Sequence, residues 1–273
     1  MKLTQAILPL AGLGTRFLPW TKVVPKELLP IGNKPIVALL VDECIAAGIS
    51  EICFVISKGK EAIPEYFYED AELEAELKRR GKIHLLEELR RYDSVKFHVV
   101  YQDEQRGDGH AILQAADWVN SDQVAVLFGD DLITGADSGL VQLKSHYSEG
   151  ALLCLQDVPK EKVSSYGIAD VEETKDRLKV VKGLVEKPKP AEAPSTLGIV
   201  GRYILPKRVF DVLHSVGNSH ASRGLSTSGG EIRIIDALIS ELGRMPVHGL
   251  VFEGSRYDTG TPEGYREAVI ALG

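Results

Sequence analysis

Two stretches of this 273-residue chain combine residue types suited to handling phosphate. The first is Ala11-Gly12-Leu13-Gly14-Thr15-Arg16, directly after an apolar run. Glycines let backbone N–H groups approach an anion with no Cβ in the way. The end of a strand in an open α/β sheet is where such sites form. The same glycines would also serve a tight structural turn. Charge adds to the functional reading, because Arg16 lies in the turn and Lys26 follows in Pro25-Lys26-Glu27-Leu28-Leu29-Pro30. Either cation alone suits a solvated surface. Together they suit a triphosphate, whose oxygens need fixed positive partners as charge moves to a leaving group.

The second stretch is Gly129-Asp130-Asp131, again just past an apolar run. Magnesium takes one or two carboxylates plus phosphate oxygens and water, and Asp130 fits that pattern. A turn or helix-cap role would explain a single Asp equally well. Asp131 reads as a neighbour that shapes the turn. Gln102 follows a further apolar run, and its amide offers a donor and an acceptor, which suits a hydrogen-bonding ligand edge.

Two rival phosphate motifs fail. A dinucleotide-binding turn wants a third glycine where Phe17 stands, and an acidic residue after the second strand, which here ends Val55-Ile56-Ser57-Lys58. A Walker A loop, GxxxxGK[ST], is absent.

The elements that must position these residues follow from pattern. Thr4 to Leu10, Glu51 to Ser57, Val95 to Tyr101 and Gln123 to Phe128 are short continuous apolar runs, as in strands buried on both faces. Between them, Pro35 to Ala47 has helical periodicity, with Pro at its start and Gly48 to stop it. Glu69 to Tyr92 reads as one or two surface helices broken near Gly81, and His110 to Trp118 as a helix. This alternation predicts an α/β fold, Rossmann-like, with a mixed and mainly parallel central sheet flanked by helices. The second half is less regular. Strands are expected at Ala151–Gln156, Gly167–Val171, Leu178–Val185 and Thr196–Ile204, and helices at Arg208–His214, Ile232–Leu242 and Pro262–Leu272. The Pro-rich stretch Lys187 to Pro194 excludes regular structure but is too short to separate domains. Gly217 to Gly230, rich in Gly and Ser, is expected to be a mobile loop. One domain over residues 1–273 is the expectation.

Bulk properties narrow the class. With 32 basic and 39 acidic side chains, the chain carries a formal charge of -7, which argues against a nucleic-acid binder. Cys44, Cys53 and Cys154 sit in apolar runs without CxxC spacing and read as reduced core residues. The absence of a signal-peptide pattern and of a membrane-length apolar stretch points to a cytoplasmic enzyme with no membrane partner.

The stretch AGLGTRFLPWTKVVPKELLP resembles the signature GxGTRxxPxTxxxPKxxxP of the sugar-1-phosphate nucleotidyltransferases. Ordered matches cover nearly the whole chain. They include Gly109-His110-Ala111, Gly129-Asp130-Asp131, Ser165-Tyr166-Gly167, Val185-Glu186-Lys187-Pro188, Gly201-Arg202-Tyr203, Gly229-Gly230-Glu231-Ile232 and Tyr257-Asp258 with Gly260. Within that family the chain is similar to the bacterial UTP–glucose-1-phosphate uridylyltransferases. The resemblance implies the nucleotide-diphospho-sugar transferase fold and Mg2+-dependent transfer of UMP from UTP to α-D-glucose 1-phosphate, giving UDP-glucose and pyrophosphate. It implies catalytic roles for Arg16, Lys26 and Lys187, the last binding the phosphate of the sugar phosphate. Nucleotide contacts fall to Ala11, Gly12, Gly14, Thr15, Glu27, Gln102 and Gly107. Sugar contacts fall to Gly167, Glu186 and Gly201, and metal ligation to Asp130 and Asp258. His110 would lie near the nucleotide, although a plain helix start also explains it. A homodimer or homotetramer is the implied assembly.

The chain departs from the family in places. Arg233-Ile234-Ile235-Asp236-Ala237 stands where QLTDA is usual, Trp20 replaces a small residue, and Asp103-Glu104-Gln105-Arg106 is unusually acidic. Two alternatives stay open: the same chemistry with dTTP or another sugar 1-phosphate, and a non-catalytic sugar-nucleotide-binding protein. Arg16, Lys26, Asp130, Lys187 and Asp258 are all present, as catalysis would require.

Overall fold

The computed structural model describes residues 3–222 and 230–273. Its strands in chain order are β1 Gln5–Pro9, β2 Pro30–Ile31, β3 Lys34–Pro35, β4 Glu51–Ile56, β5 Lys96–Tyr101, β6 Gln123–Leu127 and β7 Asp131–Thr134, then β8 Ala151–Asp157, β9 Gly167–Val171, β10 Leu178–Glu186, β11 Leu197–Pro206, β12 Val247–Val251 and β13 Ser255–Asp258. The helices are α1 Ile36–Ala46, α2 Ala62–Glu65, α3 Ala71–Arg79, α4 Leu86–Leu89, α5 Asp108–Gln114, α6 Gly139–His146, α7 Arg208–Ser222, α8 Ile234–Glu241 and α9 Pro262–Leu272. None is long and apolar enough to cross a membrane among the described residues.

Nine strands form one sheet in the order β5-β4-β1-β6-β11-β8-β12-β10-β9. The block β5-β4-β1-β6 is wholly parallel. β1, β4 and β6 are continuous apolar runs because successive side chains enter opposite cores, whereas the edge strand β5 has no buried residue. Leu8, Phe54 and Leu127 go to one core, and Ile7, Val55 and Val126 to the other. Beyond β6 the pairing turns mostly antiparallel, through β11, β10 and β9, with β8–β12 the parallel exception. The mainly parallel character expected of the sheet therefore belongs to its first block, and the sheet as a whole is mixed.

Local signals set several helix ends. Pro35 caps α1, and Gly48, at φ 75°, follows its end. Thr261 Oγ1 accepts from Gly264 N at 3.1 Å at the start of α9. The break near Gly81 is present, separating α3 from α4. The first-half helix expected from His110 instead begins at Asp108. The mobile loop expected from Gly217 needs correction as well, because α7 continues through Ser222. A Cβ at Gly217 would meet Ile232 Cδ1 at 2.8 Å, so this glycine serves close packing inside a helix. The remaining expected loop residues, 223–229, lie outside the described residues. The short β7 and β13, along with β12 and α6, carry too little periodicity to be expected from sequence.

Candidate active site

Three cavities, of about 300, 180 and 610 Å³, all have Asp130 in their walls. They open where β1, β5 and β6 end, beside the loops those strands feed.

The Gly-rich turn is held from behind by a residue not anticipated from sequence, Lys60. Its buried ammonium donates to Leu10 O and Gly12 O, both at 2.6 Å, and to both carboxylate oxygens of Glu27 at 2.9–3.0 Å. Gln105 Nε2 takes up Ala11 O at 2.7 Å. The carbonyls of the turn are thus consumed on the protein side. The N–H groups of Ala11, Gly12 and Leu13 make no hydrogen bond among the described residues. Gly14, at φ 65°, adopts the left-handed backbone that starts the tight turn Thr15–Phe17. Burial lowers the Lys60 pKa, while the Glu27 charge opposes that shift. Glu27 lines the cavity of about 300 Å³ but is only 1% exposed, with both oxygens spent on Lys60. A cation just past β4 was a usable signal, since ligand sites gather at strand ends.

Lys26 Nζ lies 2.9 Å from Asp130 Oδ2. Burial would lower the Lys26 pKa, but Asp130, Glu27 and Asp258 outweigh it and raise the value. Burial likewise pushes the Asp130 carboxyl up, and Lys26 and Arg256 overcome this to hold it below the usual carboxylate range. Thr259 clamps the Asp130 carbonyl through N at 2.7 Å and Oγ1 at 3.0 Å. Pairing of β13 with β7 sets Asp258 opposite Asp131. A Cβ on Gly260 would lie 2.8 Å from Asp130 Oδ2 and 3.0 Å from Asp258 Oδ1, so the two carboxylates flank one small space. Two carboxylates and open room suit magnesium, which leaves its other positions to phosphate and water. No cluster of three or more candidate ligand side chains exists among the described residues. Arg16 borders the same region, its Nη1 at 3.4 Å from Gly260 O.

On the other side of Asp130, Gln102 is buried in the cavity wall with Nε2 at 3.2 Å from Gly107 O and 3.0 Å from His110 Nδ1. Gly107, at φ 101°, tolerates no side chain, because a Cβ would meet Ile232 O at 2.6 Å. Asp108, unanticipated, stands in the walls of both smaller cavities. Its Oδ1 accepts from Gly109 N at 2.6 Å and from Ile234 N at 3.0 Å, which joins the starts of α5 and α8. Burial raises its pKa against those two bonds, and the Glu186 charge adds to the rise.

The cavity of about 180 Å³ gathers Gly167, Glu186, Lys187, Gly201 and Arg233. Gly167 and Glu186 are partners across β9 and β10. A Cβ on Gly167 would meet Ile235 Cδ1 at 2.7 Å. Lys187 holds a left-handed backbone, φ 45°, directly before Pro188, with its N–H on Tyr166 O at 3.0 Å. Such backbone in a non-glycine residue costs on the order of 1–3 kcal/mol and collects at functional sites. Its ammonium is 61% exposed and 3.4 Å from Glu186 Oε1. Arg233 forks onto Asp236 at 2.9 and 3.0 Å, so this departure from the family pattern is anchored within its own helix start.

Beneath the site lies a buried polar platform that sequence reading did not reveal. Arg202, fully buried, pairs with Glu43 at 2.7 Å and donates to Asp131 O at 2.6 Å and Gly201 O at 2.9 Å. Glu43 also accepts from Leu140 N at 2.7 Å, at the start of α6. Asp131 does shape the turn: it accepts from Gly201 N at 2.8 Å and pairs with Arg256 at 2.5 Å, while Arg256 reaches Tyr166 OH at 3.0 Å.

The chain matches a family model described as nucleotidyl transferase over residues 5–272. It is 38% identical to the UTP–glucose-1-phosphate uridylyltransferase YngB of Bacillus subtilis (strain 168), across 100% of this chain and 90% of that protein. The solved structure of a UDP-glucose pyrophosphorylase complexed with UDP-glucose is similar at TM-score 0.84 and 34% identity, covering 99% of this chain and 98% of that one. A UTP-bound UGPase from Acinetobacter baumannii is similar at TM-score 0.89 and 34% identity, covering 100% and 94%.

Proposed function

The chain belongs to the nucleotidyl transferase family, and from that premise we propose that it transfers UMP from UTP to α-D-glucose 1-phosphate, giving UDP-glucose and pyrophosphate. A phosphate oxygen of glucose 1-phosphate attacks the α-phosphorus of UTP. The bond from that phosphorus to the β-phosphate oxygen breaks, and pyrophosphate leaves with the electron pair. No covalent enzyme intermediate is needed, so the protein's work is positioning and charge neutralisation.

The observation that carries this reading is the placement of Asp130. It stands between the Gly-rich turn with Gln102 on one side, Glu186 and Lys187 on another, and Arg16 and Asp258 on the third. We assign the base to Gln102 and Gly107, and the nucleotide phosphates to the free N–H groups of Ala11 and Gly12, the Gly14-Thr15 turn, Arg16 and Lys26. The sugar falls to Glu186, Gly167 and Gly201, and its phosphate to Lys187. Glu27 acts on the nucleotide through Lys60, which it holds against the turn. Asp130 and Asp258 would hold Mg2+, which supplies positive charge to the phosphoryl oxygens in the transition state. The one domain works in the cytoplasm, in keeping with three free, buried cysteines.

The test is pyrophosphate release across a panel of triphosphates and sugar 1-phosphates. UTP with glucose 1-phosphate should give the highest kcat/KM, and preference for another triphosphate would reject the uridylyl assignment. Asp130→Asn should cut kcat on the order of 10²–10³-fold, the scale of a lost electrostatic contact to the reacting groups. Its fold, checked by circular dichroism, should be unchanged. Full activity in that variant rejects the metal role.

A further inference from the structure

A glutamine amide reads a base in one of two senses, depending on which end faces the ligand. At Gln102 the protein decides the sense. A carbonyl can only accept, so the Gly107 carbonyl 3.2 Å away fixes the amide nitrogen on its own side. The ring of His110 lies on that side too, with Nδ1 at 3.0 Å from the same nitrogen. Gln114 also points an amide nitrogen at the ring, 3.2 Å from Nε2. A neutral imidazole accepts at only one nitrogen. Gln102 has the stronger claim to it, being 5% exposed, because a buried donor left without a partner is costly. Gln114 Nε2 also donates to His110 O at 3.2 Å, but Gln114 is only half-buried, so water can replace that bond when its carbonyl turns to take the Nε2 hydrogen. Burial, and then the charge of Arg106, lower the His110 pKa and favour the neutral ring, against the opposing charge and backbone carbonyl of Glu104.

We infer that His110 is a positioning residue for base choice: by accepting from the Gln102 amide, it turns Gln102 Oε1 into the nucleotide-side cavity. That oxygen takes no hydrogen bond among the described residues. An acceptor at that place meets the N3–H of uracil or thymine. It faces the N3 lone pair of cytosine, an acceptor against an acceptor. This inference rests on the proposal that the cavity seats the base of UTP.

The experiment compares kcat/KM for UTP and CTP, with glucose 1-phosphate, in the wild type, His110→Ala and His110→Asn. Without Nδ1 the amide is held by the Gly107 carbonyl alone, so His110→Ala should lower the UTP/CTP ratio about three- to tenfold, the worth of one hydrogen bond. The Asn side chain offers an oxygen near the place of Nδ1, and His110→Asn should restore most of the ratio. A purely structural His110 would depress both substrates alike. An unchanged ratio in His110→Ala, with the wild type still preferring UTP, overturns the positioning role and leaves the proposed function standing. A wild type that prefers CTP overturns both.

Discussion

The nucleotide end and the sugar end of the site are held in opposite ways. At the nucleotide end, one buried lysine ties two carbonyls of the Gly-rich turn to Glu27, and Gln105 ties a third. Little there is free to move except the N–H groups left facing the cavity. At the sugar end, Lys187 is 61% exposed on a left-handed backbone. Among the described residues, the Arg233 side chain bonds only Asp236, a neighbour in its own sequence. The difference teaches that the backbone proposed to bind phosphate is fixed before any ligand arrives, whereas the cation proposed for the sugar phosphate settles with its ligand. A preformed end lowers the ordering cost of binding, and a loose end allows substrate to enter and product to leave.

Arg202 lies beneath Asp131 and Gly201, and the largest effect should come from removing it. Arg202→Met leaves Glu43 buried without its partner, and breaking a buried pair in this way costs about 3–5 kcal/mol. Chemical denaturation should show that loss, and a change under 1 kcal/mol would show that the pair with Glu43 does not carry this platform. Lys60→Met tests the nucleotide end alone. It strips the partners from Glu27 and the turn carbonyls, and should destabilise by about 1–3 kcal/mol. It should also raise the KM for UTP at least tenfold while leaving that for glucose 1-phosphate nearly unchanged. An equal rise in both would erase the contrast. The smallest effect on stability belongs to Lys187→Ala, within about 0.5 kcal/mol for an exposed side chain. Its KM for glucose 1-phosphate should still rise about tenfold, the scale of one charged hydrogen bond. Weakened UTP binding with an unaltered sugar phosphate KM would refute the assignment of Lys187.

Much of the frame was legible in the chain. β1, β4 and β6 are apolar runs because both sheet faces are covered, whereas the edge strand β5 alternates exposed and half-buried residues; α1 and α9 carry Pro and Gly at their ends. The turn, Asp130 and Gln102 were readable because each follows such a run, where an open sheet exposes its strand ends. The β7–β13 pair was not readable, since four residues hold too little periodicity to separate a strand from a turn. Lys60, Asp108 and Arg202 were missed for another reason. In sequence they are ordinary charges, and their roles depend on partners such as Glu27, Ile234 and Glu43, far along the chain.

Sequence alone thus determined the kind of chemistry, nucleotidyl transfer, through a Gly-rich turn with two cations, a carboxylate past a strand, and an amide proposed for the base. Local pattern suffices there, because residue type and strand ends are local properties. Only the tertiary structure decided how those groups are aimed. It brought Asp258 to Asp130 through β13, turned the carbonyls of the loop onto Lys60, and set the amide of Gln102 against Gly107 and His110. Aim depends on which distant groups become neighbours, and that is fixed only when the sheet closes its long-range pairings.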